Sequence, residues 1–509
     1  MHNLFKILLA VTPLVCCAYQ GKAQAPPVPA SYQPLYTQEV NYLNTFNATL
    51  NARGSGSAYP TVYAGTLTDA DANAGPQLIG TNHLAVIATE LQALKANGVK
   101  AVLIEVGFPM LYAPFLTSQG QSQSSFVSFY QQVAQMVRAQ GLKLIVENNV
   151  LLSNDVQAGW NTAPFYQTLT WTAYQQARAQ TAQTIAQTMQ PDYLVVLEEP
   201  DTEAAMSGQA NVNTPAGATA MLGQILAGLE TARQSGMKVG AGVGTWLYAA
   251  NSFVQHFVTQ PMDYIDMHIY PINRSFLSTA LTMAGTAAAA GMPVAMSECW
   301  LNKELDSEVG TVAVDTVRAR NVFSFWEPLD VQFLGTMQAL AKHTNMLYLT
   351  PSESQYFSAY MTYNSATSVL STSQLISEET SASSQGVNSA SYTSTASGFY
   401  GLIVPAGDTV PPSIPEGLSA TPASATSFSL KWTASTDNVG VAGYYVLRNG
   451  ILLGSTAQLS PSGGPPFTTV YYQDSGLMAG TSYSYTVEAF DLAGNVSVPS
   501  SSVWVMTPR

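Results

Sequence analysis

The sequence predicts an α/β protein in which a (β/α)8 barrel is followed by an all-β sandwich. Three observations support this fold class. Apolar segments of strand length alternate with helical segments over residues 61–349, which is typical of a parallel sheet covered on both faces. Two of these apolar segments end in a glutamate, Glu199 and Glu298. Beyond residue 411 the pattern changes to short alternating strands separated by turn residues, as in a β-sandwich.

The first 25 residues predict an export signal, so we expect a secreted protein. Lys6 precedes the apolar residues 7–15, and an Ala-Gln-Ala cleavage site ends at residue 25. A lipoprotein anchored at Cys17 is the alternative, but another Cys precedes it where a small residue is usual. After cleavage only Cys299 remains, and an intramolecular disulfide is therefore not expected.

The composition indicates a neutral ligand and argues against nucleic acid as a partner. The 509 residues carry 18 Lys and Arg against 31 Asp and Glu, a net charge of −13, and the basic residues are scattered. Nucleic-acid binding needs a basic face, which this pattern does not provide. Beyond the leader no segment reaches the about 20 apolar residues that span a bilayer. We expect a monomer without a membrane span.

The barrel is predicted over residues 32–362, and local signals mark its elements. Residues 32–51 form an entry helix. The predicted strands are the apolar segments 61–64, 99–106, 142–146, 193–197, 238–243, 264–271, 293–297 and 346–349. The helices between them have helical apolar spacing: 83–96, 126–140, 172–190, 218–235, 252–259, 276–290 and 325–344. An open doubly wound sheet is the alternative, but no Gly-x-Gly-x-x-Gly follows the first strand.

The two strands that end in glutamate predict a pair of carboxylates at one mouth of the barrel. Strand four, residues 193–197, continues into Glu198 and Glu199, and strand seven, residues 293–297, continues into Glu298. Burying a strand that delivers a carboxylate is unfavourable unless the carboxylate is used. The carboxyl ends of barrel strands share one face. Two carboxylates that face one bond are the groups that cleave a glycoside.

These residues resemble the motifs of the clan A retaining glycoside hydrolases, a group that includes cellulases, mannanases and galactanases. The acid/base of that group is the Glu of an Asn-Glu-Pro at the end of strand four, and its nucleophile is a Glu that ends strand seven. The resemblance therefore implies Glu199, followed by Pro200, as acid/base and Glu298 as nucleophile. Strand six of the group ends in His-x-Tyr, which His268 and Tyr270 match. The implied activity is hydrolysis of a β-linked polysaccharide or oligosaccharide with retention of configuration.

The resemblance also implies the charges and neighbours of the two catalytic groups. Glu298 has to be ionised and Glu199 protonated, so we expect separated pKa values. Tyr270 is expected to hydrogen-bond the nucleophile, and His268 to orient a substrate hydroxyl or a carboxylate. Two positions depart from the group, because Glu198 replaces its Asn and strand two offers only Glu105 where an Arg is usual. Without that Arg the pKa of the nucleophile is expected to be raised.

Further sugar contacts are predicted at the strand ends. Asn148 and Asn149 follow strand three, and strand alternation lets only one of them face inward easily. Trp246 and Trp300 follow strands five and seven, where flat rings either pack or stack on sugars. The predicted substrate-binding residues are Glu198, Asn148, Asn149, Trp246, His268, Tyr270 and Trp300. We expect no cofactor and no metal, because the sequence contains neither a His-x-x-x-His pair nor a phosphate loop.

Residues 411–509 resemble a fibronectin type III domain. The match rests on Trp432 and on the runs 437–444, 477–483 and 487–495. Strands are predicted at 427–432, 443–448, 468–473, 482–490 and 501–506, with a hairpin signal at Asn449-Gly450. Such domains are commonly appended to secreted bacterial polysaccharide hydrolases, which is what the resemblance implies here. The Ser- and Thr-rich residues 363–410 are predicted to be a linker that leaves room for the last barrel helix at its start.

Other interpretations stay open at the level of the sequence. Either glutamate alone is more often a surface or helix-capping residue, whereas their joint placement on strands four and seven favours chemistry. Cys299 is interpreted as a packing residue, because no His or Asn partner is suggested. One rival function is a non-catalytic carbohydrate-binding or adhesion protein built on a degenerate barrel. Another is a surface interaction protein in which both domains are scaffolding.

Overall fold

The computed structural model describes the chain from residue 27 to residue 508 with short gaps. The described residues are 27–53, 61–151, 160, 162–388, 393–401, 409–437, 441–457, 469–491 and 495–508. The predicted export signal at residues 1–25 lies outside them. Among the described helices, none combines the length and the hydrophobicity needed to span a bilayer.

The N-terminal part is a closed barrel of eight parallel strands that pair in sequence order. The strands are β1 (Val62–Thr66), β2 (Ala101–Glu105), β3 (Lys143–Glu147), β4 (Tyr193–Val195), β5 (Lys238–Gly244), β6 (Tyr264–Ile269), β7 (Val294–Cys299) and β8 (Tyr348–Pro351). β8 closes the barrel by pairing with β1, where Val62 aligns with Tyr348. The predicted fold class is confirmed, and burial on both faces explains why the strands are continuous apolar segments.

Helices connect consecutive strands and cover the barrel. They are α1 (Gln33–Ala52), α2 (His83–Ala96), α3 (Ala113–Ser118), α4 (Gln123–Ala139), α5 (Ala163–Tyr166), α6 (Trp171–Met189), α7 (Pro200–Ser207), α8 (Pro215–Leu229), α9 (Ala250–Phe257), α10 (Phe276–Ala289), α11 (Val314–Asn321) and α12 (Glu327–Thr344). α7 begins with Pro200, whose missing N–H costs nothing at a first helical position. Because the helix starts there, Glu199 is held at its N-terminal boundary, at the carboxyl end of β4.

Three tyrosines fill the barrel interior below the strand ends. The ring of Tyr193 lies 6.1 Å from that of Tyr264 and 4.9 Å from that of Tyr348, both edge-on. β5 leaves room for this layer, because a Cβ added at Gly240 would lie 2.2 Å from the ring of Tyr264. The barrel is therefore packed from within, and any site is confined to the layer above these rings.

The described residues between 363 and 410 are mostly helical rather than a linker. They contain α13 (Thr372–Asn388) and α14 (Ser394–Gly401). The buried ring of Phe399 lies 5.6 Å from that of Phe357, and the backbone N–H of Ser394 donates to the Glu327 carboxylate at 3.1 Å. The linker prediction is wrong for most of this segment, because a few well-placed apolar residues join it to the barrel core despite its polar composition.

The C-terminal part is the predicted β-sandwich. Its strands are β9 (Glu416–Ser424), β10 (Ser427–Thr433), β11 (Val441–Arg448), β12 (Ile451–Ala457), β13 (Thr469–Ser475), β14 (Ser482–Asp491) and β15 (Val503–Met506). They form sheets of order β13-β10-β9 and β12-β11-β14-β15. Trp432 is buried between them, with its ring 5.3 Å from that of Tyr444. Asn449 and Gly450 have φ values of 52° and 76°, as the predicted hairpin turn requires.

Candidate active site

Glu199 and Glu298 come together at the carboxyl ends of the barrel strands. One oxygen of each carboxylate and a ring nitrogen of His268 all lie within 4.8 Å of one another. The two glutamate side chains are 18% and 11% exposed, so both reach the surface of the mouth, whereas His268 is buried between them at 1%. The structure therefore places a pair of adjacent carboxylates where an external molecule can reach them.

A bulge in β7 aims Glu298 at this mouth. Asp266 of β6 aligns with Ala295 of β7, but two residues later His268 aligns with Glu298, so β7 carries one extra residue in between. Without the extra residue, alternation would turn Glu298 away from the barrel interior. The N–H of Ser297 donates to the Asp266 carboxylate at 3.0 Å, which stabilises the irregular turn of the backbone.

Hydrogen bonds fix both carboxylates. Nδ1 of His268 lies 2.8 Å from Oε1 of Glu199 and 3.5 Å from Oε2 of Glu298. The hydroxyl of Thr202 donates to Oε2 of Glu199 at 2.6 Å. The hydroxyl of Tyr270 donates to Oε2 of Glu298, which is the contact that the His-x-Tyr pattern predicts for it. His268 thus orients the two carboxylates rather than standing apart as a sugar contact.

The pKa values of the two glutamates are separated, but in the opposite order to that expected. Burial raises the pKa of Glu298 to about 8, and the negative charges of Glu147 and Glu199 add to the rise. Burial also raises the pKa of Glu199, but the hydrogen bonds from His268 and Thr202 outweigh it and bring its pKa below the usual value. The raised pKa of Glu298 agrees with the absence of an Arg. The expected order, with the pKa of Glu199 above that of Glu298, is therefore not found, because His268 and Thr202 hydrogen-bond the Glu199 carboxylate.

Carboxylates that the sequence analysis did not single out surround the buried face of His268. Its Nε2 lies 3.3 Å from Oδ2 of Asp266 and 3.4 Å from Oε1 of Glu147. Burial lowers the pKa of His268. The surrounding carboxylates outweigh this effect and raise the pKa well above its usual value, and the charge of Glu298 contributes most to the rise. Burial raises the pKa of Glu105 well above its usual range, and the negative charge of Asp71 adds to the rise. The available signal was an acidic residue at an inward position of an otherwise apolar strand, as at residues 147 and 266.

The two asparagines after β3 have different environments. Asn148 is fully buried, and its side-chain carbonyl accepts from Arg178 at 2.7 Å while its amide donates to the carbonyl of Val106. Asn149 is half-buried and its amide donates to Glu105 at 3.3 Å. Only Asn149 lies at the mouth, and the prediction that Asn148 contacts a sugar is wrong because Asn148 is buried with its polar side-chain atoms bonded to Arg178 and Val106.

Trp246 lies at the mouth, whereas Trp300 does not. The half-buried indole of Trp246 donates to Oδ2 of Asp201 at 2.9 Å, and its ring lies 6.0 Å from that of Tyr270. Trp300 is fully buried and stacks on Tyr356 with 5.5 Å between the ring centres. The prediction of a sugar contact is therefore wrong for Trp300, because the short 3-10 helix Ser354–Phe357 covers it.

Glu198 and Cys299 are also buried. Glu198 is 3% exposed, and its Oε2 faces Nε2 of His268 at 3.9 Å. Burial raises its pKa well above the usual value, and the charge of Glu147 contributes next. A direct sugar contact by Glu198 is excluded by this burial. The thiol of Cys299 is fully buried and faces the carbonyl of Thr350, which agrees with a packing role.

Comparison with known proteins identifies the C-terminal domain. Residues 413–503 match the model of the fibronectin type III domain. A chitinase from Paenibacillus xylanexedens is 50% identical over 103 residues, which are 20% of this chain and 18% of the chitinase. Chitinase A1 from Niallia circulans is 40% identical over 159 residues, 30% of this chain and 21% of that enzyme. The chain thus spans about a fifth of the length of these relatives.

Among solved structures, the endo-β-1,4-mannanase from Thermotoga petrophila superposes with a TM-score of 0.41 and 9% sequence identity, covering 88% of this chain and 98% of the mannanase. Eight parallel strands close the barrel over residues 62–351, and the family model covers residues 413–503. The protein therefore consists of a (β/α)8 barrel followed by a fibronectin type III domain.

Proposed function

We propose that the protein is a secreted glycoside hydrolase that cleaves β-linked polysaccharides or oligosaccharides with retention of configuration. The observation that carries the proposal is the placement of one oxygen each from Glu199 and Glu298 within 4.8 Å at the open end of the barrel. Retaining enzymes hold their carboxyl groups about 5–5.5 Å apart, and inverting enzymes about 6.5–9.5 Å. The short separation supports retention. The relatives named chitinases agree with a glycan substrate.

The proposed reaction has two displacement steps. Glu298 attacks the anomeric carbon as the bond to the leaving oxygen breaks, and Glu199 gives its proton to that oxygen. The product is an ester between the sugar and the Glu298 carboxylate. In the second step Glu199 takes a proton from water, the water oxygen attacks the anomeric carbon, and Glu298 leaves as a carboxylate.

The first step requires the proton to be on Glu199 when the substrate is bound. Nδ1 of His268 lies between the two carboxylates, 2.8 Å from Glu199 and 3.5 Å from Glu298. Its Nδ1–H keeps the carboxylates oriented, and the proton that Glu298 gives up reaches Glu199 through solvent at the mouth. Tyr270, which donates to Glu298, then stabilises the ionised nucleophile. We assign His268 and Tyr270 to these positioning roles.

The test measures hydrolysis of cellulose, mannan, xyloglucan and chitin fragments with the full chain. The variant Glu298→Ala is expected to lose nearly all turnover, and added azide is expected to restore it with inverted product stereochemistry. Glu379→Gln is the matched control, because it removes a buried carboxylate (3% exposed) on α13 and is expected to keep full activity. Full activity of Glu298→Ala on the best substrate would contradict the proposal.

A non-catalytic carbohydrate-binding protein is the second candidate, and one observation favours it. The nucleophile lacks a basic neighbour from strand two, and burial raises its pKa to about 8. Titration calorimetry on the same glycans distinguishes the two functions. Binding of a fragment without any release of reducing ends, in the wild-type protein, would favour the second candidate.

A further inference from the structure

Buried polar atoms without hydrogen-bond partners converge on one point below Glu199 and Glu298. Glu147 is fully buried, and neither of its carboxylate oxygens has a hydrogen-bond partner among the described residues. Within the part of the chain that the structure describes, Oε2 of Glu198, Oδ2 of Asp266 and Nε2 of His268 are also buried without such a partner. A buried polar group that is left unpaired costs about 1–3 kcal/mol, and a charged group costs more. Several of them in one layer therefore indicate a bound ligand.

The distances between these atoms are long for hydrogen bonds. Nε2 of His268 lies 3.3 Å from Asp266, 3.4 Å from Glu147 and 3.9 Å from Glu198. An N–H···O bond has a length of about 2.7–3.2 Å. Around a tetrahedral ion with bonds of about 2.0–2.2 Å, neighbouring ligand atoms are about 3.3–3.6 Å apart. The separation between His268 and Glu147 lies in that range, and the one between His268 and Glu198 needs a small contraction.

The other face of His268 is arranged as a metal-bound imidazole requires. Metal-binding histidines almost always donate their second ring N–H to a carboxylate or a carbonyl. Nδ1 of His268 is 2.8 Å from Glu199, so a proton on Nδ1 leaves the lone pair of Nε2 directed at the buried carboxylates. One atom each from Glu147, Glu198 and His268 lies within 4.8 Å of the others, and the three residues come from different strands.

We propose that Glu147, Glu198 and His268 bind a divalent transition-metal ion, with a water molecule as the fourth ligand. Zn²⁺ fits this set best, because it takes four nitrogen and oxygen ligands in a tetrahedron. Ca²⁺ takes about six to eight oxygen ligands, and Mg²⁺ keeps several waters, which a buried site with an imidazole does not offer. The ion replaces the proton on Nε2, so binding releases that proton while Nδ1–H stays bonded to Glu199. The proposal does not depend on glycosidase activity.

The test uses the full chain, stripped with a chelator and then dialysed against buffer containing ZnCl2. Elemental mass spectrometry is expected to find about one Zn²⁺ per chain, and the apparent melting temperature is expected to rise with Zn²⁺ concentration. Glu147→Gln is expected to weaken binding by more than about 100-fold, since the loss of an outer partner alone costs about 10–100-fold. The matched variant Glu379→Gln, which removes a buried carboxylate outside this layer, is expected to bind as the wild type does.

If circular dichroism shows that Glu147→Gln does not fold, Glu198→Gln provides the same test. Parallel titrations with MnCl2, MgCl2 and CaCl2 test the identity of the ion. A wild-type protein that binds no Zn²⁺ would overturn the proposal, and so would equal binding by the wild type and the folded ligand variant. Tighter binding of Mg²⁺ or Ca²⁺ than of Zn²⁺ would overturn the assignment to a transition metal.

Discussion

The ends of β3 and β4 depend on one buried arginine, and its removal gives a sharp test of the site's framework. Arg178 of α6 is fully buried and donates to Glu203 at 2.9 and 3.1 Å. It also donates to the backbone carbonyls of Asn148 and Val196, at 2.7 and 3.0 Å. Asn148 directly follows the buried Glu147, and Val196 precedes Glu199 by three residues. Arg178 therefore joins two strand ends to the helical layer.

Replacing Arg178 with Met leaves Glu203, at 3% exposure, as a buried carboxylate without its cation. Breaking a buried ion pair in this way costs about 3–5 kcal/mol of unfolding free energy. The double variant Arg178→Met/Glu203→Gln removes the unpaired charge as well, and only lost hydrogen bonds remain, at about 1 kcal/mol each. We therefore expect the double variant to be more stable than the single one.

The assay is urea unfolding of the barrel followed by tryptophan fluorescence. Arg233→Met is the matched control, because Arg233 pairs with Asp263 at 2.6 Å with side chains 33% and 30% exposed. Surface pairs contribute about 0–1 kcal/mol. If Arg178→Met costs no more than Arg233→Met, or if the double variant is less stable than Arg178→Met, the account of this network is incorrect.

Three further predictions concern the nucleophile, the helical layer and the C-terminal domain. Tyr270→Phe removes the hydrogen bond to Glu298 and is expected to lower kcat about 10- to 150-fold, since such a bond contributes about 1.5–3 kcal/mol. Steady-state kinetics measure this effect, and an unchanged kcat would contradict the prediction. Burial raises the pKa of Glu379 to about 8, and the negative charge of Glu353 adds to the rise. The contribution of Glu379 to the free energy of unfolding is therefore most favourable below its unfolded pKa and is lost as the pH rises from about 4.5 to about 8. Glu379→Gln should therefore gain melting temperature over the wild type across that range, and parallel pH profiles would refute this. A chain that ends at residue 408 loses the hydrogen bond between Asn51 and Tyr445 but should keep its turnover of small substrates. Loss of that turnover would assign the second domain a role in the site.

The barrel and the pair of glutamates were predictable because both follow from local sequence patterns. A strand buried on both faces has to be apolar along its length, so Glu199 and Glu298 were conspicuous where two such strands end. His268 was expected near Glu298 because their strands are neighbours in the barrel. The bulge that aligns the two residues left no signal in the sequence.

The remaining contacts were not predictable, because they depend on partners that are distant in the chain. Asn148 and Asn149 are equivalent in sequence, and only Arg178 of α6 decides which of them is buried. Whether Trp300 packs or contacts a sugar was ambiguous for the same reason, because only the fold brings residues 354–357 over its ring. The helices of residues 363–410 have a polar composition, and Phe399 reveals their packing only in three dimensions.

The central claim is that Glu298 forms a covalent bond with the sugar. An activated 2-deoxy-2-fluoro glycoside of the preferred sugar should accumulate as a glycosyl-enzyme, and peptide mass spectrometry should find one sugar attached to Glu298. A label on Glu199 would reverse the assigned roles. A substrate that is hydrolysed while no residue of the barrel becomes labelled would contradict the two-step mechanism.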